Sequence, residues 1–433
     1  MRDISVLLFL LFLCGASIWR PWLGVLSLAI FSYLNPHSFA WGFVTSFPAF
    51  QILFFIVIIG YLKSDNKQAI PNDWRITFFV LLWLYFVFTT YFVAYVPDAA
   101  KLKLLEVTKI FVPFFFTLTL ITSREKLYYL IITIAASIGL VATKGGLFAL
   151  ATGLSYRVYG PPKTQFTGNN EFAVATIIII PMLILWYRET ERKLIKKILL
   201  VSIPLCVIAS ISSWSRGALL ALIATGLVII WNSKKKLVLI PLVVVSTIVS
   251  IPYLPEKWFA RMDTIETYEQ DKSALGRLEV WRDGWNHTLE HPFTGSGFDG
   301  WRWVSMRDWH SSYVEIFSEH GFLAFAIWIS MIIGSVISLT RLPYKTKDYP
   351  ELNKWVTNYC HMIRASLIAY MVGTAFLGLS YWDILYHLIF IAVLIKKFAL
   401  EELAELQNPL SSSYPTLSGK KEPSSIPKWK GIR

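Results

Sequence analysis

Apolar runs about long enough to cross a bilayer recur through almost the whole chain, and nothing constrains its fold more. They begin at Ile4–Trp19 and continue at Trp22–Leu34, Phe50–Leu62, Trp74–Tyr95, Leu104–Thr122 and Leu127–Thr143. Further runs follow at Phe172–Tyr187, Ile198–Ser212, Gly217–Trp231, Leu237–Leu254, Phe322–Thr340, Met362–Leu379 and Ile384–Ile395. In hydrocarbon every backbone N–H and C=O has to be satisfied internally, so apolar runs approaching ~20 residues read as helices. With 55% hydrophobic residues, 16% charged residues and a mean hydropathy of +0.52, a soluble domain is excluded. The expectation is an all-α, polytopic integral membrane protein. Its N-terminal run has no convincing small-residue cleavage site and is read as a retained first helix.

A net charge of +13 could point to nucleic acid, but the cations are placed otherwise. They gather in KSDNK (63–67), SREK (123–126), RETERKLIKK (188–197), SKKK (233–236) and RLPYKTK (341–347). Counting runs between them puts all five on one side, the cytoplasmic one by the positive-inside rule. No nucleic-acid partner is expected. The other side then holds Tyr91–Lys103, Gly145–Glu171, the Ser212–Arg216 hairpin and a long polar loop over 255–320. If Trp22–Leu34 crosses fully there are thirteen spans; if it is interfacial there are twelve, and its shortness and aromatic flanks favour twelve. The domains expected are an N-terminal transmembrane bundle (1–254), a periplasmic helical cap (255–320), C-terminal transmembrane helices (321–397) and a cytoplasmic, largely disordered tail (398–433). Cys14, Cys206 and Cys360 form neither a disulfide framework nor a metal-type cysteine spacing; no cofactor is expected.

Chemistry concentrates on the outer side. Arg216 opens a span on the face that positive-inside bias disfavours, amid Ser212, Ser213 and Ser215. A cation at a helix N-terminus opposes the dipole and calls for an anion, and phosphate suits the guanidinium fork. The bland alternative is a snorkelling interfacial arginine. Arg277, Trp281, Trp285 and Leu289 repeat at four-residue spacing, one face of an amphipathic helix that shields Arg277 with tryptophans. HPFTGSGFDG follows as a glycine turn. His310 stands at the mouth of the next span, with Glu315, Glu319 and His320 beyond it. A single interfacial histidine is usually structural, but an imidazole is also the side chain best suited to take a proton from a hydroxyl.

SSWSRGALLAL (212–222), GRLEVWRDGWNHTLEHPFTGSGF and the block from His310 to EHGF together resemble the O-antigen ligase/polymerase superfamily of bacterial envelope glycosyltransferases. Upstream, LNPHSFAWGFVTSFP, TKGGLFALATG and YGPPKTQFTGNNEFA resemble the branch of exosortase-associated O-glycosylation ligases. The resemblance implies a GT-C-like, metal-independent, inverting glycosyltransferase with its site on the periplasmic face of the inner membrane. Such an enzyme moves a glycan en bloc from undecaprenyl diphosphate to an acceptor hydroxyl, on a lipid A–core sugar in the ligases. Carried over by position, Arg216 and Arg277 would hold the diphosphate and His310 would be the base. Trp281 and Glu319 fall in the same blocks as substrate contacts. Lys144, Asn169 and Asn170 would bind donor sugar or phosphate, or cap helices. A polymerase or a protein O-oligosaccharyltransferase fits the same motifs. A lipid-linked-glycan flippase fits less well, because the spans carry few charges and show no inverted repeat.

Overall fold

The computed structural model describes residues 2–263 and 272–408, and every regular element among them is helical. The first half comprises α1 (Arg2–Trp19), α2 (Pro21–Tyr33), α3 (Ala49–Lys63), α4 (Trp74–Phe92), α5 (Pro97–Phe111), α6 (Pro113–Leu120), α7 (Arg124–Ala151) and α8 (Asn169–Glu189). Then come α9 (Lys193–Ile211), α10 (Arg216–Trp231), α11 (Lys236–Ser250), α12 (Glu256–Asp263), α13 (Lys272–Glu290), α14 (Ser312–Lys345), α15 (Pro350–Gly373) and α16 (Asp383–Gln407). Among the described residues α1, α4, α7, α8, α9 and α14 are long and apolar enough to cross a membrane, and α2, α3 and α10 are shorter apolar helices. The chain is a helical, multi-pass membrane protein.

Several boundaries differ from the sequence reading. The run Leu104–Thr122 is two helices, broken at Val112, because Pro113 has no N–H and its ring crowds the preceding turn. α7 continues to Ala151, so Lys144 lies within it. α16 runs to Gln407, past the boundary at 397, because FALEELAELQ is made almost wholly of good helix formers. Residues 409–433 of the expected tail, and 264–271 of the polar loop, lie outside the described residues.

The core sits along α8 and α16. α8 packs against α7, α9, α10 and α15, and α16 is buried without a gap from Asp383 to Ile395. A helix apolar on every side suits such an enclosed place. α11 is the opposite case and leaves Leu237, Val238, Leu242, Val245 and Ile248 exposed, a surface suited to lipid.

α2 joins the two ends of the bundle. Pro21 and Trp22 line a cavity with Arg20, Lys63 and Lys126. At the other end Ser32 donates to the Asp383 carboxylate, and Asn35 Nδ2 donates to the Pro162 carbonyl at 3.0 Å. The start of α1 lies at this second end, where Asp3 accepts from the Gly42 N–H at 3.0 Å.

At the Lys63 end, Asp73 caps α4 by accepting from the Arg75 N–H at 3.1 Å. Its carboxylate also pairs with Arg75 Nε at 2.7 Å and Lys396 Nζ at 3.0 Å. Burial works to raise the Asp73 pKa, but Arg75 and Lys396 outweigh it and hold it at about 2. Because this lies below the unfolded value, the cluster's contribution is complete above that value and is lost as pH falls through about 2. Asp73→Asn is expected to lower the thermal midpoint of the detergent-solubilised protein at neutral pH and to flatten its acid dependence. A midpoint equal to wild type would mean that the pairing adds nothing to the fold.

Candidate active site

Arg216 is the first residue of α10, and the turn before it is built by the serines. Ser215 caps α10, accepting from the Ala218 N–H at 3.3 Å. Ser212 Oγ donates to the Tyr156 carbonyl at 2.8 Å, and Ser213 Oγ donates to the Ser210 carbonyl at 2.6 Å. Ser213 Oγ also accepts from the Ser215 N–H at 3.2 Å. These hydroxyls, read in the sequence as surrounding the guanidinium, also shape the backbone of the turn. Between them Trp214 sits at a φ of 58°, a left-handed conformation that is strained for a bulky side chain. Its indole donates to the Leu154 carbonyl at 3.3 Å, and the Arg157 guanidinium lies 5.4 Å from its ring.

Asn169 and Asn170 open α8. Asn169 Nδ2 donates to the Ser213 carbonyl at 2.8 Å, which fastens α8 to the serine turn. Asn170 lines a narrow cavity with Ser215, Arg216, Arg277, Phe376 and Leu377. Two arginines far apart in sequence therefore face one space, which the N-termini of α8 and α10 also approach. Each helix N-terminus carries a partial positive charge and unpaired N–H groups, so the electrostatics favour an anion.

Arg277 comes from α13, one turn before Trp281. Trp281 Nε1 donates to the Trp309 carbonyl at 2.9 Å, and its ring lies 6.3 Å from Phe376. One side chain thus ties the cavity wall to the peptide that precedes His310. His310 does not begin a helix; it stands ahead of α14, exposed, at a φ of 44°. Its Nδ1 is 3.7 Å from Asp308 Oδ2, a near approach rather than a hydrogen bond. It is not among the residues lining the arginine cavity.

The remaining residues hold this frame. The Glu319 carboxylate is buried; Oε1 accepts from the Asp299 N–H at 3.1 Å and Oε2 from the Tyr381 hydroxyl at 2.6 Å. Glu315 accepts from the Ser380 N–H at 3.0 Å. Ser312 Oγ donates to the Leu377 carbonyl at 2.9 Å and accepts from the Leu379 N–H at 2.8 Å. Together they set the 377–381 segment, which the sequence reading places at the end of one span and just beyond it. Two polar residues in the first turn of α14, Ser312 and Glu315, are the signal the sequence offers for this anchoring.

The glycine turn is an anchor. Gly297 N–H donates to the Glu319 carbonyl at 2.8 Å, and Phe322 N–H to the Pro292 carbonyl at 2.7 Å. A Cβ on Gly295 would stand 2.5 Å from the Ser318 carbonyl oxygen, so only glycine lets α13 meet the kink at Gly321 this closely. His320 is wholly buried, its Nδ1 2.7 Å from Thr89 Oγ1. Burial, then neighbouring His291, lowers the pKa of His287, whose ring packs against Tyr95 and His291. Lys144 is exposed on α7 and lines none of the described cavities.

Residues 201–329 match the family described as O-antigen ligase. This segment is similar to the O-antigen ligase superfamily. Members of the O-antigen ligase family are glycosyltransferase-like ligases and polymerases. The matched segment contains Arg216, Arg277, Trp281, His310 and Glu319. Residues 1–192 match a family of unknown function, and that part supplies Asn169 and Asn170. The arginine cavity is therefore assembled from both matched segments, with Phe376 and Leu377 contributed from beyond them. No curated protein matches the chain.

Proposed function

We propose that this protein transfers a glycan en bloc from undecaprenyl diphosphate to an acceptor hydroxyl on the periplasmic face of the bacterial inner membrane. The acceptor is a lipid A–core sugar, which makes the reaction a ligase step in lipopolysaccharide biosynthesis. The observation that carries this reading is the convergence of Arg216, Arg277 and two helix N-termini on one cavity. The acceptor oxygen attacks the anomeric carbon as the bond to the diphosphate breaks, and a single in-line displacement inverts that carbon. The bonding pair leaves with the diphosphate. Two guanidiniums and the helix ends stabilise the charge it gains, as a metal does in other transferases. His310 takes the acceptor's proton through Nε2, with Asp308 3.7 Å from its Nδ1.

The cavity has about 30 Å³ of free space, room for roughly two waters. Admitting a diphosphate therefore requires α13 to shift, and the Trp281–Trp309 bond would carry that shift to His310. With α2 running between the bundle ends, the topology we favour is thirteen crossings with the N-terminus outside and the cap, α12 and α13, in the periplasm.

The test is a deletion strain analysed for lipopolysaccharide and lipid-linked intermediates. A ligase predicts loss of long-chain lipopolysaccharide while full-length glycan accumulates on undecaprenyl diphosphate. Retention of core bearing a single repeat unit would identify a polymerase instead.

A further inference from the structure

Away from the arginines, two cavities meet at the start of α16. One, of about 280 Å³, lies among the end of α2, the chain leading into α3, and residues 163–166. The other, of about 210 Å³, runs between α2 and α6. Ser32, Phe50, Ile110 and Asp383 line both. The first is rich in polar groups, with His37, Gln51, Lys163 and Gln165. The second is walled chiefly by Val25, Leu28, Ala29, Pro113 and Phe114, with the exposed Lys109 beside them. From Val25 to Ser32 α2 rises by roughly 10 Å, so the apolar arm reaches well into the bundle.

The junction is a built site. Asp383 is 9% exposed and accepts from the Ser32 hydroxyl, while the adjacent Tyr33 hydroxyl is 2.7 Å from His387 Nδ1. No cation lies within ion-pair distance of Asp383 among the described residues. In the same wall Trp382 is 1% exposed, and its Nε1, like His37 Nδ1, has no hydrogen-bond partner among the described residues. Buried polar groups left without partners are costly and rare, and a bound polar ligand accounts for them.

Charge decides the ligand class. An anionic lipid would bring like charge to Asp383, whereas an ammonium would add a charged partner to the hydrogen bond from Ser32. We propose that the joined cavities bind a phospholipid with an ammonium-and-phosphate head, of the phosphatidylethanolamine type. The ammonium meets Asp383, the phosphate is paired by Lys109 or Lys163, and an acyl chain fills the arm between α2 and α6. This site is separate from the arginine cavity and stands whether or not the transferase reading does.

The experiment is native mass spectrometry of the full chain, delipidated in detergent and titrated with phosphatidylethanolamine or phosphatidylglycerol. Wild type is expected to retain phosphatidylethanolamine preferentially. Asp383→Asn is expected to weaken that lipid about ten-fold or more, the scale of a charge-assisted hydrogen bond, and to leave phosphatidylglycerol unchanged. If Asp383→Asn does not fold, Lys109→Gln and Lys163→Gln serve, both side chains being exposed. At least one of them should weaken the same lipid. Equal retention of the two lipids by wild type, or full retention by all three variants, would overturn the site.

Discussion

Arg277→Ala and Arg216→Ala are each expected to abolish measurable glycan transfer while leaving the protein folded. Both guanidiniums face the cavity that the N-termini of α8 and α10 approach. Removing one preorganised charge-stabilising donor typically costs about 10²–10³ in rate, and two act here on one leaving group. The fold tolerates the change because Arg277 lies half-buried on α13, and Arg216, at the N-terminus of α10, works against the helix dipole. Arg→Lys should rescue poorly, since an ammonium keeps the charge and loses the bidentate fork. Transfer by the detergent-purified variants, alongside their binding of glycan-free undecaprenyl diphosphate, reads the two effects separately. Full activity in Arg277→Ala would end its role and move attention to Arg282, Arg302 or Arg307, all exposed nearby in sequence.

Residue types are easier to read from the chain than their arrangement. Arg216 and Arg277 announce themselves because the sequence reading sets them opposite the basic loops, where positive charge needs a reason. Their meeting depends on how α13 seats against α14 and the 374–377 turn, which no local pattern encodes. The serines around Arg216 mislead for a related cause. Hydroxyls bond their own backbone as readily as a ligand, and Ser213 does so here beside the left-handed Trp214. Glu319 has the composition of a site residue, yet its oxygens are taken up by Asp299 and Tyr381. Asp383 is easily passed over, because one aspartate at a span mouth looks like a cap until Ser32, Trp382 and His37 are seen around it.

His310→Ala is expected to cut transfer by about 10²–10⁴ while leaving binding of the diphosphate donor largely intact. This asks much of a side chain that is exposed and stands apart from the arginine cavity. Three features nonetheless suit it to be the base. Its backbone is held left-handed at a φ of 44°, a conformation that the Trp281 bond to the preceding carbonyl helps to maintain. Asp308 lies on the Nδ1 side, which leaves Nε2 to face an acceptor. The other histidines near the cap are committed: His320 is buried against Thr89, and His287 is packed with His291. Trp281→Phe should reproduce part of the turnover loss without touching the base, by releasing the Trp309 carbonyl. A weaker donor affinity with unchanged turnover in His310→Ala would assign His310 to phosphate binding. The proton acceptor would then have to be sought among the exposed carboxylates of the same loop, Asp308 first.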